Sequence, residues 1–288
     1  MRNTMLKVLW LCALLASGSA LAQDAGVLKK IRDAKAITLG YRTDSPPFSF
    51  SGNDGQPAGY SVDICRRIVT SLERSLGGAL AVNWVPLSAA DRFDKVTGGA
   101  VDIECGNTSA TLSRMERFDF SNLIFVDGGG VLVLAGSKIG RLSDLSGKTV
   151  VAVAGTTTEQ SLAAALKTKL IDARMLAVKD EAEALAALES GKADGYAADR
   201  VKLVVLVVRA KGEQKTAEKF RLIQEDYSIE PYALMMRRDP ALRLAVNRGL
   251  AQLYRSGTIM EIYDRWLAPL GKPTPLLTAV FILGATPE

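Results

Sequence analysis

Small polar side chains and an arginine follow the apolar run "AVDIE" in the first half of the chain. The segment "ECGNTSATLSRMERFDF" places Asn107 and Ser109 just after that run, and Arg114 five residues beyond Ser109. Short side chains leave backbone amides accessible, and a guanidinium is a planar fork of donors suited to a carboxylate. These residues therefore indicate a carboxylate site. A helix N-cap with an exposed Arg114 paired to Glu116 or Asp119 explains them equally well.

A second candidate site for an anion lies in the second half, in "VAGTTTEQSL". A strand, a glycine and three threonines that open a helix place free N–H groups and the positive end of the helix dipole together. The segment lacks the pattern of a phosphate-binding P-loop. Ordinary capping, by Thr157 or Thr158 with Glu159 or Gln160 downstream, fits the same residues and is compatible with ligand binding.

Charged residues of both signs complete the candidate site. Asp199 ends a predicted strand in "GYAADR", where a carboxylate after small alanines is placed to hold an ammonium group. A salt bridge from Asp199 to Arg200 or Lys202 is the alternative. Arg42, in "GYRTDSPPFSF", and Arg92 add guanidinium donors in the first half. A guanidinium beside prolines and aromatic rings is more typical of a binding pocket than of a reaction centre.

The composition argues for binding without catalysis. The chain has no histidine, no G-x-S-x-G motif, no Cys–His pair and no Cys/His metal cluster. We therefore expect no catalytic residue, no metal and no cofactor. The formal net charge is +5 over 288 residues, without a basic run, which makes nucleic acid an unexpected partner.

The elements that must position these residues alternate between strand and helix. Apolar periodicity predicts helices over 27–34 and 60–76, a strand over 36–41, and two closing helices over 241–256 and 257–267. Such alternation argues for an α/β fold with parallel pairings, in which ligands bind beyond the carboxyl ends of strands. The triple glycine 128–130, between two apolar runs, predicts a crossing between two domains, and "YSIEPYALMMRRDP" predicts the return crossing.

The two ends of the chain carry apolar segments. Residues 1–22 have a positive head, an apolar core and an A-x-A site, the layout of a secretory signal peptide cleaved after Ala22, with a membrane anchor as the alternative. "LLTAVFILGA" near the C-terminus is about half a membrane span and is predicted to pack on the body. Cys65 and Cys105 lie beyond the predicted cleavage site, and both a disulfide and two free thiols are compatible with the sequence.

Several of these segments, taken in order, resemble a known family. "GYRTDSPPFSF…GYSVDIC", "VDIECGNTSATLSRMERFDFSNLIF", "LSDLSGKTVVAVAGTTTEQSL" and "LESGKADGYAADR" are similar to the polar amino-acid-binding proteins of bacterial ABC importers, especially the glutamate/aspartate-binding branch. The resemblance covers about residues 27–267. It implies a type II periplasmic binding fold: two α/β lobes joined by two hinge crossings. The expected lobes are 23–127 with 233–288, and 128–232.

The resemblance also implies roles for individual residues. Arg114 would bind the α-carboxylate with help from Ser109 and the Thr156/Thr157 turn, and Asp199 would bind the α-ammonium beside Asn107. The positions that meet the side-chain carboxylate in the glutamate/aspartate branch are Arg42, Ser88 and Arg92.

Two positions depart from that branch. Its second lobe carries a histidine where this chain has Glu181, and an anionic Glu181 would repel an acidic ligand. Glu181 must therefore turn away, or pair with Arg42 or Arg92, or the ligand tail is not a carboxylate. The branch also pairs the cysteine of E-C-G with one after the return crossing, where this chain has Leu234. Cys65 is a possible replacement partner.

Three functions follow as hypotheses. The first is a periplasmic receptor, expected to be monomeric, that binds a polar amino acid such as glutamate or aspartate and delivers it to an inner-membrane ABC permease. The alternative is a periplasmic dehydratase of the cyclohexadienyl (prephenate/arogenate) type on the same scaffold, with Glu181 as proton donor. The third is a sensory receptor that acts through a separate partner.

Overall fold

A computed structural model describes residues 26–213 and 219–287 of the chain. The predicted signal peptide lies outside the described residues. The strands are β1 (Ala36–Arg42), β2 (Asp44–Ser45), β3 (Ser49–Ser51), β4 (Pro57–Ala58), β5 (Ala81–Leu87), β6 (Ile103–Glu104), β7 (Phe118–Leu134), β8 (Thr149–Val153), β9 (Arg174–Val178), β10 (Gly195–Asp199), β11 (Phe220–Leu222) and β12 (Ser228–Arg237). The α-helices are α1 (Val27–Ala34), α2 (Tyr60–Leu76), α3 (Arg92–Thr97), α4 (Leu112–Met115), α5 (Thr157–Thr168), α6 (Glu181–Glu189), α7 (Arg200–Glu213), α8 (Pro240–Ser256), α9 (Thr258–Leu267) and α10 (Pro275–Gly284).

One mixed sheet runs through the molecule in the order β5-β1-β6-β12-β7-β10-β8-β9, with β11 also paired to β7. At one end β1 pairs in parallel with β5 and β6, and at the other β8 pairs in parallel with β9 and β10. Between them β7 and β12 lie antiparallel. We call the part with β1–β6, α1–α4 and α8–α10 the first lobe, and the part with β8–β11 and α5–α7 the second lobe. Strands β7 and β12 connect the two.

The triple glycine lies inside β7, which is continuous over 17 residues. Its register places Gly129 beside Asp199 of β10 and Ser228 of β12. A Cβ atom added to Gly129 would lie 2.4 Å from the Ser228 hydroxyl, and one added to Gly128 would lie 2.8 Å from the Asp226 carboxyl carbon. The glycines therefore allow close packing against neighbouring side chains.

The buried apolar residues divide along the same line. One set of clusters, around Leu39 and Ile64, is built from elements of the first lobe and the adjoining parts of the crossing strands. The other set, around Val150 and Leu188, is built from the second lobe. Among the described residues, Val201 of α7 is the exception that packs with the first set. Each lobe thus has buried apolar clusters of its own.

The aromatic residue after the two prolines fixes the segment that follows β1. Phe48 is fully buried and packs edge-to-face on Phe125 and Tyr232, with ring centroids 5.0 Å apart in both pairs. The adjoining Ser49 hydroxyl accepts a hydrogen bond from the Arg42 backbone N–H at 2.9 Å. Burial of the ring thus holds the chain around Arg42 in place.

Cys65 and Cys105 form a disulfide, which answers a question that the sequence left open. The bond joins α2 to the turn after β6. Leu234, at the position where the related branch has its second cysteine, is fully buried in the first-lobe core.

The apolar C-terminal segment forms α10, which packs on the first lobe. Leu277 and Phe281 are buried there, while Ile282 and Leu283 are exposed. No helix within the described residues is long and apolar enough to cross a membrane.

Candidate functional site

A cavity between the lobes brings together most of the residues predicted to bind ligand. The predicted residues that line it are Arg42, Arg92, Asn107, Ser109, Arg114, Thr156, Thr157 and Asp199. The first five belong to the first lobe and the last three to the second. They meet because each follows the carboxyl end of a strand or opens a helix at the same edge of the sheet.

Ser88, by contrast, does not line the cavity. It is exposed, its backbone N–H donates to Asp91 Oδ1 at 2.7 Å, and its hydroxyl accepts from the Asp91 N–H at 3.1 Å. These two bonds close the turn before α3. The geometry therefore gives Ser88 a local structural role, and the predicted contact with a ligand side chain stays a prediction.

Arg114 lies in the short helix α4 and is held by contacts within the first lobe. Its Nη1 donates to the Ser109 carbonyl at 2.8 Å, and the guanidinium lies over the Phe93 ring, 5.0 Å from the centroid. Partial burial lowers the pKa of Arg114, an effect that the Glu230 carboxylate opposes. Asp119, one of the partners considered above, pairs with Arg243 instead. The fork of Arg114 is thus fixed at the cavity.

Capping and lobe contact are divided between two threonines at the start of α5. Thr156 is the N-cap: its hydroxyl accepts from the Glu159 N–H at 3.1 Å and donates to the Val153 carbonyl at 2.7 Å. The expected caps were Thr157 or Thr158. Thr157 instead reaches the first lobe, with its hydroxyl 3.1 Å from the Ser109 hydroxyl.

Glu230 on β12 is a buried acid that the sequence analysis did not identify. The hydroxyls of Ser109, Thr157 and Ser228 lie 2.6, 2.5 and 2.7 Å from its carboxylate oxygens. Glu230 therefore orients hydroxyls from both lobes beside Arg114. An acid within an otherwise apolar crossing strand, in "YSIEPYAL", was the available signal.

Asp199 is hydrogen-bonded to a side-chain amide of the first lobe. Its Oδ2 accepts from Asn107 Nδ2 at 2.8 Å. Burial raises the pKa of Asp199 to about 6, and the cation of Lys202 acts in the opposite direction. The alternative partners are engaged elsewhere, since Arg200 pairs with Asp226 and Lys202 with a different acid.

Asn107 also offers an acceptor. Its Oδ1 is buried without a hydrogen-bond partner among the described residues. A carboxylate next to a buried, unsatisfied carbonyl oxygen suits a cation with several N–H donors, such as a primary ammonium.

Two buried guanidinium groups lie elsewhere in the cavity lining. Arg92 donates through Nη1 to the Ala89 carbonyl and through Nη2 to the Gly155 carbonyl of the second lobe, at 3.4 Å. Burial and the neighbouring Arg42 lower the pKa of Arg92 to about 9. The Nε–H donors of Arg42 and Arg92 are buried without partners in the described part of the chain. Two unsatisfied cationic donors favour an anionic or strongly accepting ligand group.

Each of the remaining charges around these arginines has a counter-charge. Arg42 Nη2 pairs with Asp44 Oδ1 at 2.7 Å, and Lys202 Nζ pairs with Glu181 Oε2 at 3.2 Å. Asp44 and Lys202 line the cavity, and neither was predicted. Glu181 does not line it, and its partner is Lys202 rather than Arg42 or Arg92. The only hint in the sequence was that Asp44 and Lys202 closely follow Arg42 and Asp199.

Comparison with known proteins gives a consistent picture. The bacterial extracellular solute-binding proteins, family 3, match residues 37–269. An L-glutamate/L-aspartate-binding protein of Pseudomonas aeruginosa is 34% identical over 88% of this chain and 84% of its own length. A glutamate/aspartate import solute-binding protein of Escherichia coli strain K12 is 30% identical, with the same coverage of both chains.

Solved structures show the same fold. A substrate-binding protein of an ABC uptake transporter from Streptococcus pneumoniae, with bound histidine, has a TM-score of 0.74 at 25% identity and covers 85% of this chain and 97% of its own. An ancestral amino-acid-binding protein, a precursor of cyclohexadienyl dehydratase, has a TM-score of 0.70 at 26% identity and covers 83% and 98%. The predicted two-lobed α/β fold class is confirmed.

Proposed function

The chain belongs to the bacterial extracellular solute-binding proteins, family 3, and from that premise we propose that it is the periplasmic receptor of an ABC importer for a polar L-amino acid. Glutamate and aspartate are the expected ligands, because the relatives at 30 and 34% identity are named for them. The proposal includes export with cleavage after Ala22, a monomeric state and delivery to an inner-membrane permease.

The observation that carries the proposal is that Arg114 and Asp199 line one cavity from opposite lobes. An α-amino acid has a carboxylate and an ammonium on one carbon. Arg114, with the hydroxyls of Ser109 and Thr157, matches the carboxylate, and Asp199 with Asn107 Oδ1 matches the ammonium. Neither lobe provides both halves of this recognition.

The ligand side chain extends toward the two buried arginines. Arg42 and Arg92 hold Nε–H donors without partners among the described residues, and a side-chain carboxylate would accept from them. This match favours a ligand with an acceptor at its distal end, as in glutamate and aspartate.

Contacts between the lobes indicate how ligand binding is coupled to closure. Three hydrogen bonds in the described part of the chain join the lobes. The Asn107 amide donates to Asp199, the Thr157 hydroxyl is bonded to the Ser109 hydroxyl, and Arg92 donates to the Gly155 carbonyl. These contacts form only when the lobes meet, so a ligand that touches both lobes stabilises the closed arrangement over an open one. The crossing strands β7 and β12 are the proposed hinges.

The ligand is tested by calorimetry on protein that has been unfolded and refolded to remove bound amino acid. Glutamate, aspartate, glutamine and asparagine are titrated separately, and we expect heat from the acidic pair. The absence of heat from all four would refute the proposed ligand class.

The dehydratase hypothesis required Glu181 as a proton donor. A proton donor must reach the ligand, and Glu181 neither lines the cavity nor lacks a counter-ion, because it pairs with Lys202. The structural similarity to a dehydratase precursor is to an amino-acid-binding protein. The geometry therefore favours the receptor.

A further inference from the structure

We propose that Lys202 is a specificity-determining residue: held by Glu181, it is the second-lobe cation that binds the side-chain carboxylate of an acidic ligand. This inference rests on the proposed function. It gives a role to the two residues of the cavity region that the resemblance to the glutamate/aspartate branch did not explain.

The position of Lys202 is the first argument. It lies in the first turn of α7, three residues after Asp199, lines the cavity and is only 7% exposed. A lysine is seldom so buried unless its charge is compensated, because desolvation of an ammonium group is costly. Glu181 supplies that compensation at 3.2 Å.

The ion pair leaves part of the ammonium group for a ligand. An ammonium group has three N–H donors, and one partner occupies one direction. The contact with Glu181 also lacks hydrogen-bond geometry, since Glu181 Oε2 is a buried atom without a hydrogen-bond partner in the described part of the chain. Glu181 thus positions the cation while leaving donors available.

Lys202 and the Arg42–Asp44 pair line the same cavity from opposite lobes. Although burial acts to raise it, the pKa of Asp44 is lowered by Arg42 and by Lys202, and the Lys202 cation acts in the same direction on Asp199. The Lys202 cation thus acts on carboxylates of both lobes that line the cavity. The buried Tyr196 hydroxyl, which has no hydrogen-bond partner among the described residues, also lines this region.

Charge compensation explains why a further cation is needed. Asp44 already neutralises Arg42 at 2.7 Å, and the fully buried Glu104 acts on Arg92. Arginines compensated in this way hold a second carboxylate less strongly than two isolated guanidinium groups. Lys202 lines the cavity and its partner Glu181 does not, so an acidic tail would lie closer to the cation than to the compensating acid. Because Lys202 belongs to the opposite lobe, this contact ties recognition of the tail to lobe closure.

The test compares acid and amide ligands of the same shape. Calorimetry with glutamate and glutamine is performed on the unsubstituted protein, on Lys202→Met, and on the double variant Lys202→Met with Glu181→Met. Lys167→Met, on the exposed surface of α5 in the same lobe, is the matched control. We expect both Lys202 variants to lose glutamate affinity by about 10- to 100-fold, as for a lost charge-assisted contact, and glutamine affinity by less than about threefold.

The double variant separates ligand recognition from a structural role. Lys202→Met alone leaves Glu181 as a buried, uncompensated charge that can destabilise the fold. If the pair were only structural, removing both charges would restore glutamate affinity, and the inference would be overturned. An equal loss of affinity for glutamate and for glutamine would also overturn the inference. If the unsubstituted protein binds none of the four amino acids, the proposed function fails and this inference fails with it.

Discussion

The two ends of the cavity differ in how their charged side chains are arranged. At the head end, defined by Arg114 and Asp199, one charge comes from each lobe, and their close partners are a carbonyl oxygen and an amide. At the tail end, defined by the Arg42–Asp44 and Lys202–Glu181 pairs, each charge is compensated within its own lobe. In the described part of the chain neither head-end charge has an ion-pair partner, although Glu230 acts on Arg114 and Lys202 on Asp199. A ligand would supply close counter-ions at the head end, whereas the tail end begins with its ion pairs formed.

This difference predicts that the head end determines overall affinity and that the tail end determines selectivity. Head-end charges without an ion-pair partner make the largest contributions to affinity, and these are the same for every ligand because every amino acid presents the same carboxylate and ammonium. Paired tail-end charges make smaller contributions that distinguish one ligand from another, because a new anion there changes an existing balance. Substitutions at the two ends should therefore differ in size and in selectivity.

The largest effect is expected from Arg114→Ala. Loss of the guanidinium removes the bidentate partner of the α-carboxylate, and we expect affinity for every bound amino acid to fall at least about 100-fold, or about 3 kcal/mol. Calorimetry measures the loss. Arg117→Ala, which removes an exposed guanidinium nearby, is the control and should leave binding unchanged. Retention of binding within threefold in Arg114→Ala would contradict the head-end assignment.

An intermediate effect is expected from pH, acting through Asp199. Burial raises the pKa of Asp199 to about 6. The ligand ammonium requires the ionised carboxylate, so affinity should rise as pH increases through 6 and fall below it, by up to about tenfold per pH unit. The stability of the ligand-free protein should change in the opposite sense. A carboxyl whose pKa is raised by folding contributes stability that is fully present below its unfolded-state pKa and is lost as pH rises through 6.

Calorimetric titrations between about pH 5 and pH 8 measure how ligand affinity depends on pH. Thermal unfolding of the ligand-free protein over the same range measures how its stability depends on pH. Asp199→Asn is the control, and it should bind weakly with a nearly flat pH profile. A flat profile in the unsubstituted protein together with unchanged affinity in Asp199→Asn would show that Asp199 does not hold the ammonium group.

The same comparison shows which parts of the molecule could be predicted from sequence. The head end was predictable because its residues sit in segments whose local pattern determines their place: Arg114 after a strand and a run of small polar residues, Thr157 at a helix start, and Asp199 at a strand end. The lobes and crossing strands followed from strand–helix alternation for the same reason.

Arg42 and Arg92 at the tail end were predicted, but pairings between separate elements could not be predicted in this way. The Lys202–Glu181 pair joins the first turns of α6 and α7, and the disulfide between Cys65 and Cys105 joins a helix to a turn. Such pairings depend on how elements pack together, and no spacing within one segment encodes them. Ser88, a position inferred from resemblance, forms a local turn contact, and its predicted role toward a ligand stays a prediction.

The smallest effect, and the sharpest test of the tail end, is expected from Asp44→Asn. Asp44 Oδ1 accepts from Arg42 Nη2 at 2.7 Å, and its side chain is 28% exposed, so solvent screens the pair only in part. Removing the negative charge leaves the Arg42 guanidinium without its ion-pair partner next to the ligand tail. We expect glutamate affinity to rise by about 3- to 10-fold relative to glutamine, or about 1 kcal/mol.

The ratio of the two affinities is the quantity to measure, because it cancels any general effect of the substitution on lobe closure. Asp33→Asn, on the exposed surface of α1 in the same lobe, should leave the ratio unchanged. An unchanged ratio in Asp44→Asn as well would mean that Arg42 does not face the ligand tail, and selection between acid and amide would then fall to Lys202 and Arg92. A raised ratio would show that Asp44 weakens the preference for acids that Arg42 and Lys202 create, so that selectivity at this end is set by the balance of the two ion pairs.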